Sequence, residues 1–214
     1  MGTEETWRGV DRILDASLDD LALGVDARGR AAPQVADWRL PEDGRVILGS
    51  YGLPAPRDDD YLGVVGDLQE STEPHEGVDG RSWYVLGSYD RSRLAAVEWT
   101  GQVVAVPAGS QVHPDLAHLH PSGMSLTPVN STLGAFVECA WRWHRLLPLL
   151  ADEQERAGEA EVSALKAGQP VQDMVDPYAG YQELCRYVLS RFRKIDPELE
   201  ADSGFWPDII IDVW

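Results

Sequence analysis

Along TWRGVDRILDASLDDLAL, residues 6–23, apolar side chains fall at Trp7, Val10, Leu14, Leu18 and Leu21. Spacings of three and four predict one amphipathic helix with a single buried stripe. GVDARGRAAPQVADW, residues 24–38, is rich in Gly, Ala and Pro and predicts a connection. The next stretch, RLPEDGRVILGSYGLPAP, is double-valued. Pro41 suits a first helical position and Gly52 a C-terminal cap, whereas RVIL also suits a strand, so the residues leave both open.

From residue 61 to 107 the period shortens. YLGVVG, RSWYVLGSY, RLAAVEW and QVVAVP are short runs rich in β-branched and aromatic residues, the pattern of an antiparallel sheet. Thr100-Gly101 between the last two predicts a tight hairpin, and DRS at 90–92 another short turn. The loop GDLQESTEPHEGVDG, 66–80, is long, acidic and without a period, so it is either functional or mobile. HPDLAHLHPSGMSLTPV, 113–129, reads as irregular and proline-bounded.

VNSTLGAFVECAWRWHRLLP, 129–148, then predicts a helix with Asn130 or Ser131 as N-cap and Pro148 near its end. Leu133, Phe136, Val137, Ala140, His144 and Leu147 share one face; Glu138, Arg142 and Arg145 lie opposite, with Glu138 and Arg142 at the favourable i,i+4 spacing. ADEQERAGEAEVSALKAGQ, 151–169, has few apolar positions and reads as an exposed helix or a poorly ordered insertion. YAGYQELCRYVLSRFRKI, 178–195, is strongly helical through Tyr181, Leu184, Cys185, Val188, Phe192 and Ile195. Asp196-Pro197 reads as an N-cap and first helical residue, and Trp206, Ile209, Ile210 and Val213 predict a terminal helix.

Charge changes this picture most. Thirty-six acidic against eighteen basic residues among 214 give a net charge of −18. Such a field repels phosphate backbones and anionic lipid, so nucleic-acid and membrane binding are not expected; it attracts a basic protein partner, while the plainer reading is that the charge keeps the protein in solution. No run of apolar residues is long enough for a transmembrane helix, and the acidic N-terminus lacks the apolar core of a secretory signal, so a cytoplasmic protein with two reduced thiols, Cys139 and Cys185, is expected.

Chemistry is sparse. Phosphate-loop, dinucleotide, zinc-protease, CxxC and GxSxG patterns are missing, which leaves nucleotide, zinc-protease, redox and hydrolase readings without motif support and calls for no cofactor, although catalytic groups often meet only in space. His113, Asp115, His118 and His120 are the best metal candidates, but their spacing matches no standard zinc site and polar loop residues are the plainer reading. His144 reads as a core histidine, and the two cysteines as small buried apolar groups. Asp58, Asp59, Asp60, Glu70, Glu73 and Glu76 flank the first strand. A solvated acidic rim is the default for them; a docking surface for a basic protein is the sharper alternative. Trp7, Trp83, Trp141, Trp143 and Trp206 have apolar neighbours and belong with the core, whereas Trp99 and Trp214 sit at a strand end and the C-terminus, where a partner can reach them.

WYVLGSYDRSRLAAVEWTGQVVAVP, then VNSTLGAFVECAWRW, then RKIDPELEADSGFWPDIIIDVW form a recognisable succession. The LGS lead into a strand pair, the TG hairpin, the V-N-S helix start with a phenylalanine five residues after the serine, and the iDP…fW ending resemble the SUKH (Smi–Knr-like) superfamily of bacterial immunity proteins, most closely its fourth subfamily. PEDGRVILGSYGLP also resembles an early helix of that family. The likeness runs from about residue 40 to the end; residues 1–39, a helix and connection, and 151–176, a polar insertion, match poorly within what reads as a single domain over 1–214.

The resemblance implies an α+β fold with a single mostly antiparallel sheet of about four to six strands flanked by helices. It also implies a cytosolic, non-catalytic partner of a cognate secreted toxin domain, often a nuclease or deaminase, that blocks the toxin's active site as part of a polymorphic toxin system. Asn130, Ser131, Phe136 and Trp206 carry over as markers of the fold. Two competing expectations are a regulatory or scaffold protein of the same fold without a toxin, and a metal-dependent hydrolase using His113, His118 and His120.

Overall fold

A computed structural model describes residues 4–55, 63–77, 80–90, 92–107, 126–167, 176–199 and 204–212. Helix α1 spans Glu4–Asp15 and α2 Leu18–Ala22. The single helix expected here is broken because the Ser17 hydroxyl accepts from the Asp20 N–H, a local N-cap that starts a second helix. The apolar stripe survives the break, with Val10, Leu14 and Leu21 all buried. The connection that follows holds β1 (Ala27–Arg28) and a 3-10 turn, Pro33–Asp37.

Helix α3 (Glu42–Tyr51) begins one residue after Pro41 and ends at Gly52, whose φ of 63° is the left-handed conformation of a C-terminal cap. A side chain on Gly52 would meet the Arg28 carbonyl oxygen at 2.4 Å, so the position needs glycine for space as well as for φ. Strand β2 (Leu53–Pro54) follows and pairs with β1.

The main sheet contains β3 (Val65–Gly66), β4 (His75–Glu76), β5 (Ser82–Tyr89), β6 (Ser92–Val97), β7 (Val103–Pro107) and β8 (Thr127–Asn130). Its order is β3-β5-β6-β7-β8, β4 pairs the other end of β5, and every pairing is antiparallel. The α+β architecture expected from the chain is therefore present. Strand β8 lies in a stretch expected to be irregular: TPVN has a proline and little length, and only the β7 edge makes it a strand. Alternation sends Tyr84, Leu86, Leu94, Ala96, Val103 and Ala105 into the main core, and Ala95, Val97 and Val104 to the opposite face.

Helix α4 runs from Leu133 to Lys166, straight through Pro148, which had been expected to mark its end. An internal proline costs about 3 kcal/mol. A fully buried leucine contributes about 1.5–3 kcal/mol, and Leu146, Leu147 and Leu150 are all buried around the proline, so packing outweighs the break. Beyond it Glu153 and Ala157 are also buried, with Thr6 Oγ1 of α1 donating to Glu153 Oε2 at 3.2 Å. Residues 151–166 are thus the second half of α4.

The face of α4 that the pattern marks as polar is not open to water. Arg142 is only 7% exposed and donates to the Ile13 carbonyl; Arg145 donates to the carbonyls of Leu21 and Leu23. These guanidiniums satisfy carbonyls at the C-terminal ends of α1 and α2, where cations are also favoured by the helix dipole. Helix α5 (Ala179–Ile195) packs on α4 through Leu184, Val188 and Phe192, and the chain closes with α6 (Phe205–Pro207) running into a π turn, Asp208–Asp212.

Candidate functional site

Two polar assemblies differ from the rest of the molecule. The first is buried where β8, α4, α5 and α6 meet. Asp196 is 1% exposed and its carboxylate accepts four hydrogen bonds: Asn130 Nδ2 at 2.9 Å and Ser131 N at 2.8 Å on Oδ2, Ser131 Oγ at 2.7 Å and Glu198 N at 3.3 Å on Oδ1. Trp206 Nε1 donates to Asn130 Oδ1 at 2.9 Å. Every polar atom named here has a partner, as a buried network requires.

This node corrects two readings. Asn130 and Ser131 do not cap α4; Thr132 does, its hydroxyl accepting from Ala135 N, because its two neighbours are taken by Asp196. Asp196 starts no helix among the described residues; it caps α5, its N–H donating to Phe192 O, and a turn follows. The V-N-S and iDP…fW motifs, sixty-five residues apart at Ser131 and Asp196, meet as one structural unit. Cys139 lies beside it, with burial pushing its thiol well above the ordinary range, the wrong direction for a nucleophile. Burial likewise raises the Cys185 thiol to about 11. His144 is buried, edge-on to Trp141 at 6.1 Å between ring centroids.

The second assembly lies at the turn end of the β6–β7 hairpin. Val97 and Gln102 close the hairpin, Val97 N donating to Gln102 O at 2.8 Å. Gly101, with φ 68°, occupies one left-handed position; Trp99, with φ 65°, occupies another. The indole of Trp99 is 70% exposed, whereas Trp38, Trp141, Trp143 and Trp206 are fully buried. Arg39 fastens the turn to the body: its carbonyl accepts from Trp99 N at 2.7 Å, its Nε donates to Glu98, and its guanidinium lies 5.9 Å from the Trp99 ring centroid. Glu98 raises the Arg39 pKa through that hydrogen bond, so the cation is permanent. Arg39 N in turn donates to the Tyr84 hydroxyl, and Tyr84 stacks on Trp38 at 4.8 Å.

The described part of the acidic loop, residues 66–77, runs alongside and is tied by hydrogen bonds. Gln69 organises it: Oε1 accepts from Val85 N, and Nε2 donates to the carbonyls of Ser71 and Glu73. Trp38 Nε1 donates to Ser71 O, and β4 adds Glu76 opposite Ser82, whose carbonyl accepts from Glu98 N. Register thus sets Glu76 and Glu98 on either side of Ser82, and Glu73 lies 3.7 Å from Arg39. Of the candidate docking acids, Glu70, Glu73 and Glu76 are all exposed, and Glu73 and Glu76 share this end of the sheet with Trp99. Glu70 faces a shallow depression with Arg28 and Arg30.

Asp58, Asp59 and Asp60 lie outside the described residues, as do His113, Asp115, His118, His120 and Trp214. Among the described residues no group of three His, Cys, Asp or Glu side chains is placed to hold a metal, and no helix is long and apolar enough to cross a membrane. Nothing in the periodicity of the chain marks Arg39 or Glu98. Their only signal is a tryptophan placed next to a Thr-Gly turn, where a side chain has no core to enter.

The family model described as SUKH-4 immunity protein matches residues 16–212, beginning well before residue 40, where the motifs alone start, and leaving α1 outside. No curated protein and no solved structure matches the chain.

Proposed function

The chain belongs to the SUKH-4 immunity protein family, and from that premise we propose that it neutralises a cognate secreted toxin domain in the cytoplasm by covering the toxin's active site, without transforming a substrate. Family membership carries the reading. The net charge of −18 adds the sign of the partner: a nuclease or nucleic-acid deaminase presents a basic cleft for phosphate, and an acidic protein is drawn to it and competes for it. The hydrogen bonds by which Gln69 ties residues 69–73 to the sheet support occlusion by a preformed surface.

The test is co-expression with the C-terminal domain of the secreted protein that a neighbouring gene is expected to encode. Rescue of growth, with a stoichiometric complex whose association slows as salt rises, is the expected outcome. A regulatory or scaffold role without a toxin gives no rescue and no complex.

A further inference from the structure

We infer that Trp99 is the apolar anchor of the toxin-docking surface, inserting its indole into a pocket rimmed by Lys and Arg on a basic toxin domain. The inference rests on the function proposed above and narrows it to one residue and one surface.

Stability does not account for a tryptophan at this position. Its side chain is 70% exposed, so little apolar area leaves water on folding. Its φ of 65° is a conformation that glycine adopts without steric cost and a bulky residue does not. The same turn already places glycine at its other left-handed position, Gly101. A strained backbone that displays a large aromatic ring to solvent is paired with function more often than with packing.

The ring is also pre-set. Arg39 grips the turn through its carbonyl, its bond to Glu98 and its place over the indole, and Arg39 itself is anchored to Tyr84 in the sheet. A side chain ordered before binding loses little entropy on binding, which is why rigid aromatic residues dominate interface energetics. The surroundings select the partner's chemistry. Glu73 and Glu98 pair with Arg39 beside the ring, Glu76 is exposed at the same end of the sheet, and the whole molecule's field has the same negative sign. An apolar pocket with a basic rim complements that arrangement, and an acidic surface is repelled by it.

The experiment uses the full chain and the purified C-terminal domain of the secreted protein that a neighbouring gene is expected to encode, with association and dissociation followed separately. Trp99→Ala is expected to weaken binding about thirtyfold or more, mainly through faster dissociation. Trp99→Phe is expected to recover part of that loss. Glu73→Gln with Glu76→Gln is expected to slow association severalfold and flatten its salt dependence, with dissociation little changed. Trp99→Gly separates anchoring from folding, because it loses affinity as Trp99→Ala does while its melting temperature stays level or rises. Affinity of Trp99→Ala within threefold of the unaltered chain overturns the inference and leaves the immunity reading standing. Failure of the unaltered chain to bind overturns both. A change of self-association in place of toxin affinity, measured by sedimentation, makes the patch a contact between copies and also overturns it.

Discussion

Trp206 and Trp99 are the same residue put to opposite uses. Trp206 is fully buried, edge-on to Phe192 at 5.0 Å, with its Nε1–H delivered to Asn130. Trp99 stands on a left-handed turn with most of its indole in water. The first belongs to the node that joins the V-N-S and iDP…fW motifs; the second belongs to no motif beyond the turn itself. The recognisable residues of this chain therefore mark what holds it together. Trp99, among the described residues the one tryptophan in the set of large apolar side chains that the fold leaves in water, carries the docking surface inferred above.

That contrast is open to measurement, and its buried side should respond most. Asp196→Ala leaves the buried Asn130 Nδ2 and the half-buried Ser131 N–H and hydroxyl without their acceptor. Unmet buried donors cost about 1–3 kcal/mol each and do not add fully, so a loss of about 3–5 kcal/mol is expected in urea unfolding. A loss below about 1 kcal/mol would make the node ornamental. Trp206→Phe, which orphans Asn130 Oδ1 and leaves a small void, should cost about 2–3 kcal/mol by the same measurement.

The thiols sharpen the comparison through pH. Folding raises the Cys185 pKa from 9.0 to about 11, and that of Cys139 well above 9.0, because burial penalises the thiolate. The folded state therefore holds protons that the unfolded state releases. The associated stability is complete below pH 9 and is lost as pH rises from 9 through 11. Urea midpoints should fall over that window, less so in Cys185→Ser, and native protein at pH 8 should not react with a disulfide reagent until it unfolds.

At the exposed turn the expected change in stability is the smallest. Trp99→Gly relieves about 1–2 kcal/mol of backbone strain, loses about 0.5–1 kcal/mol of contact with Arg39, and frees the unfolded chain by a further 0.5–1 kcal/mol or so. These terms cancel to within about 1 kcal/mol, so thermal unfolding should scarcely move. A loss above about 2 kcal/mol would mean that Trp99 is structural after all and would erase the contrast with Trp206.

Much of the fold was legible because it rests on periodicity. The 3.6-residue stripe of α5 and the short β-branched runs of β5, β6 and β7 appear where the pattern puts them. The errors share a cause. Pro148, Ser131 and Asn130 were read by local rules, yet the local penalty or preference at each was smaller than what distant residues supplied: a leucine-lined core around the proline, and the Asp196 carboxylate for the pair at 130–131. Strand β8 was missed for the same reason, since its pairing partner is β7. The acidic loop shows the converse: composition leaves it without a pattern, and the Gln69 side chain ties residues 69–73 of it to the sheet.

The main helical stripes, the central antiparallel strands, the acidic field and the family motifs follow from the chain read by itself, because each depends on residue type and spacing along it. Which tryptophan is sheltered and which displayed, that two distant motifs share one carboxylate, and that Arg39 fixes Trp99 beside Glu73 were decided only in three dimensions. Those facts depend on which groups are desolvated together, and desolvation is a property of the packed molecule.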